Sequence, residues 1–257
     1  MVAFFSVEHL TMRFDGLTAL DDFSLKLKEG DLVGLIGPNG AGKTTAFNLI
    51  TGNLNPTLGS IFFQGEEITS LKPNRIARRG IARTFQNIRL FQDLPVIENV
   101  MISYHGRLRS SFLDAVLRTP LYNREERGMR EGAFSLLEKV RLSEAANDKA
   151  GSLSYGQQRR LEIARALATN PRLLLLDEPA AGMNPQETRE LMDFILQVKG
   201  DFGLTMLLIE HDMRVVMGIC QRIKVLDYGA AIAEGTPQEI QNDPKVITAY
   251  LGEADLA

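Results

Sequence analysis

The stretch that decides the fold occupies residues 37–44 and reads Gly37-Pro38-Asn39-Gly40-Ala41-Gly42-Lys43-Thr44. It has the spacing G-x4-G-K-[ST], follows the apolar run Leu32–Ile36 and opens a helical run. Glycines let the chain turn tightly, so that successive backbone N–H groups point at phosphate oxygens, reinforced by the helix N-terminus. Lys43 offers a positive charge to the β- and γ-phosphates, and Thr44 offers a hydroxyl to Mg²⁺. The sequence therefore predicts binding of a nucleoside triphosphate.

A second motif consists of the largely apolar run Arg172–Leu176 and the two acids that directly follow it, Asp177 and Glu178. Such a run predicts a buried strand that brings both acids to the carboxyl edge of a sheet, where ligands of open α/β folds bind. Asp177 is suited to coordinate Mg²⁺, and Glu178 is suited to act on the water molecule that attacks the phosphate. Two acids after a strand are usually just solvated, but together with the phosphate loop they indicate triphosphate hydrolysis.

Short β-type runs alternate with helical stretches along the chain, and this alternation predicts an α/β fold with a largely parallel sheet. Two helix starts carry an Asn or Thr cap, a proline and a glutamate, at Asn184–Glu187 and Thr236–Glu239, and both are interpreted as structural. The predicted strands are Phe4–Val7, Phe23–Leu27, Leu32–Ile36, Ser60–Phe63, Arg172–Leu176, Thr205–Ile209 and Ile223–Leu226.

The composition is that of an ordinary folded protein: of 257 residues, 44% are hydrophobic and 24% are charged. A net charge of -3 argues against a general nucleic-acid binder, and we expect no nucleic-acid partner. The single cysteine, Cys220, excludes an internal disulfide framework and a Cys-rich metal site. Because Cys220 lies in an apolar stretch, we interpret it as a small buried hydrophobe in a protein of the reducing cytosol.

No membrane-targeting segment is predicted. Residues 1–10 lack a basic region of the secretory type, and the uncharged stretch Thr44–Gly65 is interrupted by glycines and a proline. If the protein works at a membrane, other chains are expected to supply the membrane part.

Residues 86–153 differ from the rest of the chain in sequence pattern, because they contain few β-type runs. Apolar residues recur there at spacings of three and four, which predicts an amphipathic helix within an inserted helical subdomain. The residues of that apolar face are Met129, Ala133, Leu136, Leu137 and Val140. We therefore expect one domain over residues 1–257, with a catalytic core of 1–85 and 154–235, a helical subdomain of 86–153 and a helical tail of 236–257.

Between the two phosphate-site motifs lies Leu153-Ser154-Tyr155-Gly156-Gln157-Gln158-Arg159-Arg160, which resembles the signature sequence of the ABC ATPases, commonly Leu-Ser-Gly-Gly-Gln. It stands about twenty residues before the acids, at the expected place, and the resemblance to this family extends essentially over the whole chain. The resemblance implies a phosphate-loop NTPase core with a mostly parallel sheet, an antiparallel β subdomain and an inserted α-helical subdomain.

The same resemblance implies roles for single residues. Phe14 would stack on adenine, Gln86 would touch Mg²⁺ together with Thr44 and Asp177, and His211 would contact the γ-phosphate. Catalysis would then rest on Glu178, His211 and Gln86, whereas Glu210 is left without a role. The residues implied to bind ATP are Phe14, Gly37, Pro38, Asn39, Gly40, Ala41, Gly42, Lys43, Thr44, Thr45, Ser154, Gly156 and Gln157.

The family's mode of action implies a head-to-tail dimer with a second ABC ATPase subunit, either another copy or a paralogue. Residues 37–45 of one subunit and 154–157 of the other would enclose each ATP·Mg²⁺, and hydrolysis would reopen the dimer.

Tyr155 stands where most members have glycine, and Asn184 stands where many have aspartate. Five arginines cluster in sequence around Gln86, and two interpretations stay open for them: a surface that docks a cytoplasmic loop of a membrane partner, or a solvated basic face. These arginines are Arg75, Arg78, Arg79, Arg83 and Arg89.

Longer strings resemble the ATPases of branched-chain amino-acid importers: Arg83–Phe91, the signature variant with Tyr155, Ala180–Pro185, the insert from about His105 to Arg127 and the tail Ala249–Glu253. This implies transmembrane permease subunits as partners, a periplasmic amino-acid-binding protein as an indirect partner, and a peripheral place on the cytoplasmic face of the membrane. Two alternatives stay open: an ATPase of lipid or lipopolysaccharide export, and a soluble ABC ATPase of the iron–sulfur assembly type.

Overall fold

A computed structural model describes residues 3–107 and 110–254 of the chain. The strands within these residues are β1 (Phe5–Phe14), β2 (Leu17–Leu27), β3 (Leu32–Ile36), β4 (Leu58–Phe63), β5 (Glu66–Glu67), β6 (Ile81–Arg83), β7 (Leu173–Asp177), β8 (Thr205–Ile209), β9 (Arg222–Asp227) and β10 (Ala230–Gly235). The helices are α1 (Lys43–Ile50), α2 (Pro73–Arg78), α3 (Val96–Tyr104), α4 (Phe112–Val116), α5 (Pro120–Lys139), α6 (Tyr155–Ala168), α7 (Pro185–Phe202), α8 (Met213–Ile219), α9 (Pro237–Gln241) and α10 (Pro244–Ala254).

The chain divides into two compact units, one formed by residues up to Arg83 and from Arg172 onward, the other by Thr84–Pro171. The sequence-based boundaries of 86 and 153 differ from this division mainly at the second border. The reason is α6, which packs against α3 and α5 and so belongs with the helices rather than with the sheets. The sequence of α6 does not itself show which of the two units this helix packs in, so the second border could not be predicted.

A six-stranded sheet in the order β10-β9-β3-β8-β7-β6 is the centre of the first unit. Every neighbouring pair runs parallel except β9 and β10, which form an antiparallel hairpin. Strands β3, β7 and β8 are buried along their whole length, as expected of parallel strands covered on both faces. Because β3, β7, β8 and β9 point the same way, the residues that follow them meet at one edge of the sheet.

A second sheet of the same unit is antiparallel, in the order β2-β1-β4-β5. The predicted pair of a mostly parallel sheet and an antiparallel sheet is thus confirmed. Both β1 and β2 are longer than the predicted strands. In β1 the register shifts between Val7 and Leu10, and His9 has a positive φ of 53°, so a bulge interrupts the alternation of apolar and polar residues.

The second unit is helical, and its longest helix, α5, confirms the predicted amphipathic pattern. Met129, Ala133, Leu136 and Leu137 are buried, and Val140 is buried just after the helix ends. The predicted insert of residues 105–127 contains α4 and the start of α5. Its residues 108 and 109, like residues 255–257 of the predicted tail, lie outside the described part of the chain.

Both predicted capping boxes are present. Asn184 Oδ1 accepts hydrogen bonds from the N–H groups of Gln186 and Glu187 at the start of α7, and Thr236 caps α9 in the same way. Where the structure describes the chain, none of its helices combines the length and the apolar character needed to cross a lipid bilayer.

Candidate functional site

The phosphate loop connects β3 to α1, and its conformation depends on glycine at two positions. Gly37 and Gly42 have φ values of 149° and 101°, in the region that other residues avoid. A Cβ atom on Gly37 would collide with the carbonyl oxygen of Leu226, and one on Gly42 would lie 2.6 Å from that of Ala19. Because neighbouring backbone carbonyl groups approach so closely, only glycine fits at these two positions of the motif.

Lys43 is the first residue of α1 and is buried. Its ammonium group donates to the carbonyl oxygens of Gly37 at 2.6 Å and of Pro38 at 2.7 Å. The backbone of the loop thus fixes the position of a full positive charge at the N-terminal end of a helix. Both the charge and the helix end favour an anion at this place.

A cavity of about 390 Å³ opens along the loop. It is lined by Leu17, Thr18, Ala19, Asn39, Gly40, Ala41, Gly42, Lys43, Thr44, Thr45, Glu178 and Tyr228. Phe14, the predicted adenine-stacking residue, is 40% exposed at the end of β1 and does not line this cavity.

Four of the lining residues, Leu17, Thr18, Ala19 and Tyr228, were missed by the sequence analysis. The dipeptide Tyr228-Gly229 turns the β9–β10 hairpin, at the same sheet edge as the loop. A turn signal after a predicted parallel strand could therefore have identified Tyr228. Leu17 to Ala19 had no such signal, because they begin the edge strand of the other sheet.

Asp177 ends β7 and is buried together with an arginine. Its Oδ2 lies 2.6 Å from Nη2 of Arg83, and both side chains are 8% exposed. Arg83 also donates to Oδ1 of Asn48 at 2.8 Å and lies over the ring of Phe47. The interpretation of Arg83 as part of an exposed basic face was therefore wrong, because the strand β6 turns this guanidinium into the core, next to a carboxylate.

Glu178 follows with a backbone conformation that is rare for a residue with a side chain, at φ 45°. Its N–H donates to the carbonyl oxygen of Ile209 at 2.9 Å, so that β8 holds the strained residue in place. The carboxylate is 18% exposed, and its Oε2 lies 3.4 Å from Nδ1 of His211. Strain of this kind is kept where the surrounding structure fixes it, and it is concentrated at functional sites.

Glu210 has no predicted role, yet it joins two loops of the site. Its carboxylate is completely buried and accepts from the N–H groups of Ala180 at 2.7 Å and His211 at 3.2 Å. Burial raises the pKa of this carboxyl group, and the hydrogen bonds oppose that shift. Glu210 thereby holds the segment after Glu178 next to His211. Sequence reasoning had no signal for it, since its partner Ala180 is thirty residues away.

The remaining predicted residues lie in the helical unit. Gln86 is exposed in an irregular segment. Ser154 caps α6: its Oγ accepts from the N–H of Gln157 at 3.4 Å, and Oε1 of Gln157 accepts from the N–H of Ser154 at 3.0 Å. A Cβ atom on Gly156 would meet no described atom within 4 Å, so packing inside the chain does not require a glycine there.

The donors expected for Mg²⁺ are hard oxygen atoms, namely the hydroxyl of Thr44, the carboxylate of Asp177 and the side-chain amide oxygen of Gln86, and these donor types fit the ion. Within the described ranges no group of three or more His, Cys, Asp or Glu side chains could hold a metal by itself. The two facts agree, because Mg²⁺ in nucleotide sites is bound through one or two carboxylates together with substrate phosphates and water.

The chain is similar to known proteins in sequence and in fold. The family model described as ABC transporter matches residues 20–181, and the one described as branched-chain amino acid ATP-binding cassette transporter matches residues 232–255. Among curated relatives, the high-affinity branched-chain amino acid transport ATP-binding protein BraF of Pseudomonas aeruginosa is 52% identical over 248 residues, covering 96% of this chain and 97% of BraF. The corresponding protein LivG of Escherichia coli is 48% identical over 249 residues, covering 97% and 98%.

Solved structures agree in fold. The ADP conformation of MJ1267, an ATP-binding cassette of an ABC transporter, has a TM-score of 0.86 and 35% identity, covering 98% of this chain and 100% of that one. The dimeric MJ0796, a bacterial ABC transporter cassette, has a TM-score of 0.75 and 26% identity, covering 91% and 98%. With this phosphate loop, these acids and these relatives, the chain belongs to the ABC transporter family of ATP-binding proteins, in the group of the branched-chain amino acid transport ATPases.

Proposed function

We propose that this chain hydrolyses ATP to power an importer of branched-chain amino acids. The observation that carries the hydrolytic part is the position of Glu178, which lines the same cavity as the phosphate loop and approaches His211. The names of the relatives support the import of branched-chain amino acids over lipid export or iron–sulfur assembly.

In this proposal the phosphates lie along residues 37–45. The loop N–H groups and Lys43 bind the negative oxygens, and Lys43 reaches the β- and γ-phosphates. Thr44 and Asp177 would hold Mg²⁺, with Gln86 as a further ligand, and the bound ion would supply positive charge beside the phosphates. Phe14 stacks on the adenine ring.

Catalysis is assigned to two side chains at the edge of the sheet. Glu178 orients a water molecule in line with the γ-phosphate and takes up its proton. His211 donates a hydrogen bond to the γ-phosphate and stabilises the charge of the transition state. Glu178 has a positive φ and lines the cavity along the phosphate loop, and both observations support its assignment to the attacking water.

Two such subunits, or one with a paralogue, would complete each site. Ser154, Gly156 and Gln157 of one subunit approach the γ-phosphate bound by the other, and a glycine at 156 leaves room for that approach. ATP then holds the two subunits together, and its hydrolysis removes the bridge. Both units of this chain act in the cycle, and residues 1–257 together form one ABC ATPase domain in this proposal.

The partners in this proposal are transmembrane permease subunits and, through them, a periplasmic amino-acid-binding protein; nucleic acid has no part. The chain is then peripheral, on the cytoplasmic face of the cell membrane. Hydrolysis by the two ATPase subunits is transmitted to the permease through protein contacts, so this chain need not touch the amino acid.

The test of the catalytic assignment is Glu178→Gln, with Glu138→Gln on the surface of α5 as the control. We expect ATP to bind the Glu178 variant normally while kcat falls about 10²- to 10⁴-fold, the usual contribution of a general base. Near-normal hydrolysis by this variant would remove Glu178 from the catalytic role.

The transport assignment is tested in proteoliposomes that contain the chain with its permease. We expect ATP-dependent uptake of leucine, isoleucine or valine in the presence of the binding protein. Copurification with a lipid-export complex, or no association with any membrane protein, would contradict it.

A further inference from the structure

A buried ion pair on α6 has no part in the chemistry described so far. Arg159 is 0% exposed and Glu162 is 6% exposed, and Nη1 of the arginine lies 2.6 Å from Oε2 of the glutamate. Burial raises the pKa of Glu162, and the charge of Arg159 opposes that shift. Removing two charges from water is costly, so such a pair is weak evidence for stability by itself.

Three further hydrogen bonds of this pair go to the main chain of two consecutive residues. Arg159 donates through Nη1 to the carbonyl oxygen of Phe85 at 2.8 Å and through Nη2 to that of Gln86 at 2.9 Å. Oε1 of Glu162 accepts from the N–H of Phe85 at 3.1 Å. This segment has no regular secondary structure, and the side chains of the pair bind polar groups that a helix or strand would otherwise satisfy.

The same helix begins at the signature sequence. Nη2 of Arg159 lies 3.4 Å from the hydroxyl oxygen of Tyr155, and the guanidinium lies 6.0 Å from the centre of that ring. Tyr155, which replaces the glycine of the family pattern, therefore points along its own helix toward the ion pair. Ser154 is five residues from Arg159, about 7.5 Å along the helix axis.

We infer that Arg159 and Glu162 are positioning residues that join the Gln86 segment to the signature end of α6 as one rigid element. The inference rests on the proposed function, in which Gln86 contacts Mg²⁺ at its own subunit's nucleotide and Ser154 contacts the partner's nucleotide. A displacement of Gln86 then moves Ser154 with it. The pair thereby couples the nucleotide at one site of the dimer to the residues that complete the other.

The experiment replaces the pair by apolar residues, Arg159→Met together with Glu162→Leu. Apolar replacement of a whole buried pair is often neutral for folding, whereas removal of one charge leaves the other buried and unpaired. The matched control is Arg127→Met together with Glu131→Leu, the same residue types on the exposed surface of α5. Glu162→Gln is a second variant, since its amide oxygen can still accept from the N–H of Phe85.

The first measurement is hydrogen exchange of the Phe85 amide in the full-length protein without nucleotide. We expect exchange about tenfold or more faster in the apolar variant, because a hydrogen bond to a charged acceptor is lost. The control should stay close to the wild type, and Glu162→Gln should lie between the wild type and the apolar variant, because its amide oxygen still accepts from Phe85 but is a neutral acceptor beside Arg159. Unchanged exchange in the apolar variant would overturn the inference.

The second measurement separates positioning from folding support. ATP affinity should change less than about twofold, since the phosphate loop keeps all its hydrogen bonds, while kcat should fall about 10- to 100-fold, the effect of misplacing a contact by about 1 Å. Faster exchange at Phe85 with wild-type kcat would make the pair merely structural and refute the coupling. If the wild type itself binds no ATP, the proposed function fails, and the exchange measurement still decides whether the pair holds the segment.

Discussion

The buried pair of Arg83 and Asp177 allows a quantitative prediction for the first unit. Replacing Arg83 by methionine leaves the carboxylate of Asp177, 8% exposed, without the guanidinium at 2.6 Å. Breaking a buried pair from one side costs about 3–5 kcal/mol, because an uncompensated charge stays behind. At about 2–4 °C per kcal/mol for a unit of this size, Tm should fall by about 6–20 °C.

A double-mutant cycle isolates the pair. Arg83→Met, Asp177→Asn and the double variant are compared by urea unfolding, and we expect a coupling energy of about 2–3 kcal/mol, at the upper end for residues in contact. Arg78→Met, an exposed arginine of α2, is the control and should change the free energy of unfolding by less than about 0.5 kcal/mol. A coupling energy near zero would refute the reasoning, since it would mean that the ion pair does not form in solution.

Three further predictions concern other parts of the same unit. Asn184→Ala removes both cap hydrogen bonds of α7 and should lower the free energy of unfolding by about 1 kcal/mol, measured by urea unfolding; an unchanged midpoint would contradict the cap role. Burial raises the pKa of the Cys220 thiol to about 12, so at pH 8 a thiol reagent should label the native protein about a thousandfold more slowly than the unfolded chain, and equal rates would show that the thiol is accessible. Because the pKa of Glu210 is raised on folding, the native state keeps that proton where the unfolded chain has lost it, and stability falls as pH rises from about 4.5 through the raised value. Glu210→Gln should remove this part of the pH dependence, and identical slopes for both proteins in urea titrations between pH 4 and 8 would contradict it.

The local motifs were predictable because neighbours in sequence determine their geometry. In the loop of residues 37–44 the glycine spacing and the flanking strand define the turn, and the glycine φ values bear this out. The caps at Asn184 and Thr236 were readable for the same reason, since each side chain binds N–H groups two or three residues away.

Partners far apart in sequence were not predictable. Arg83 was assigned to a basic surface because nothing near it shows that Asp177, ninety-four residues later, lies beside it. The roles of Glu210 and Arg159 depend on contacts of the same distant kind. The extent of β1 was missed for a different reason, because a bulge breaks the alternation on which strand prediction relies.

Lys43 shows what the fold gives the site beyond charge. A free lysine side chain has about 2 kcal/mol of rotamer entropy, and the two carbonyl groups that hold its ammonium remove most of that freedom when the loop folds. An arriving triphosphate thus meets a preorganised cation and does not have to order it. Arginine would conserve the charge but not this arrangement, because its planar fork cannot replace a compact ammonium between two carbonyl oxygens. The loop fixes the location of the Lys43 ammonium group before any ligand binds. Affinity for the triphosphate therefore depends on this location as much as on the positive charge.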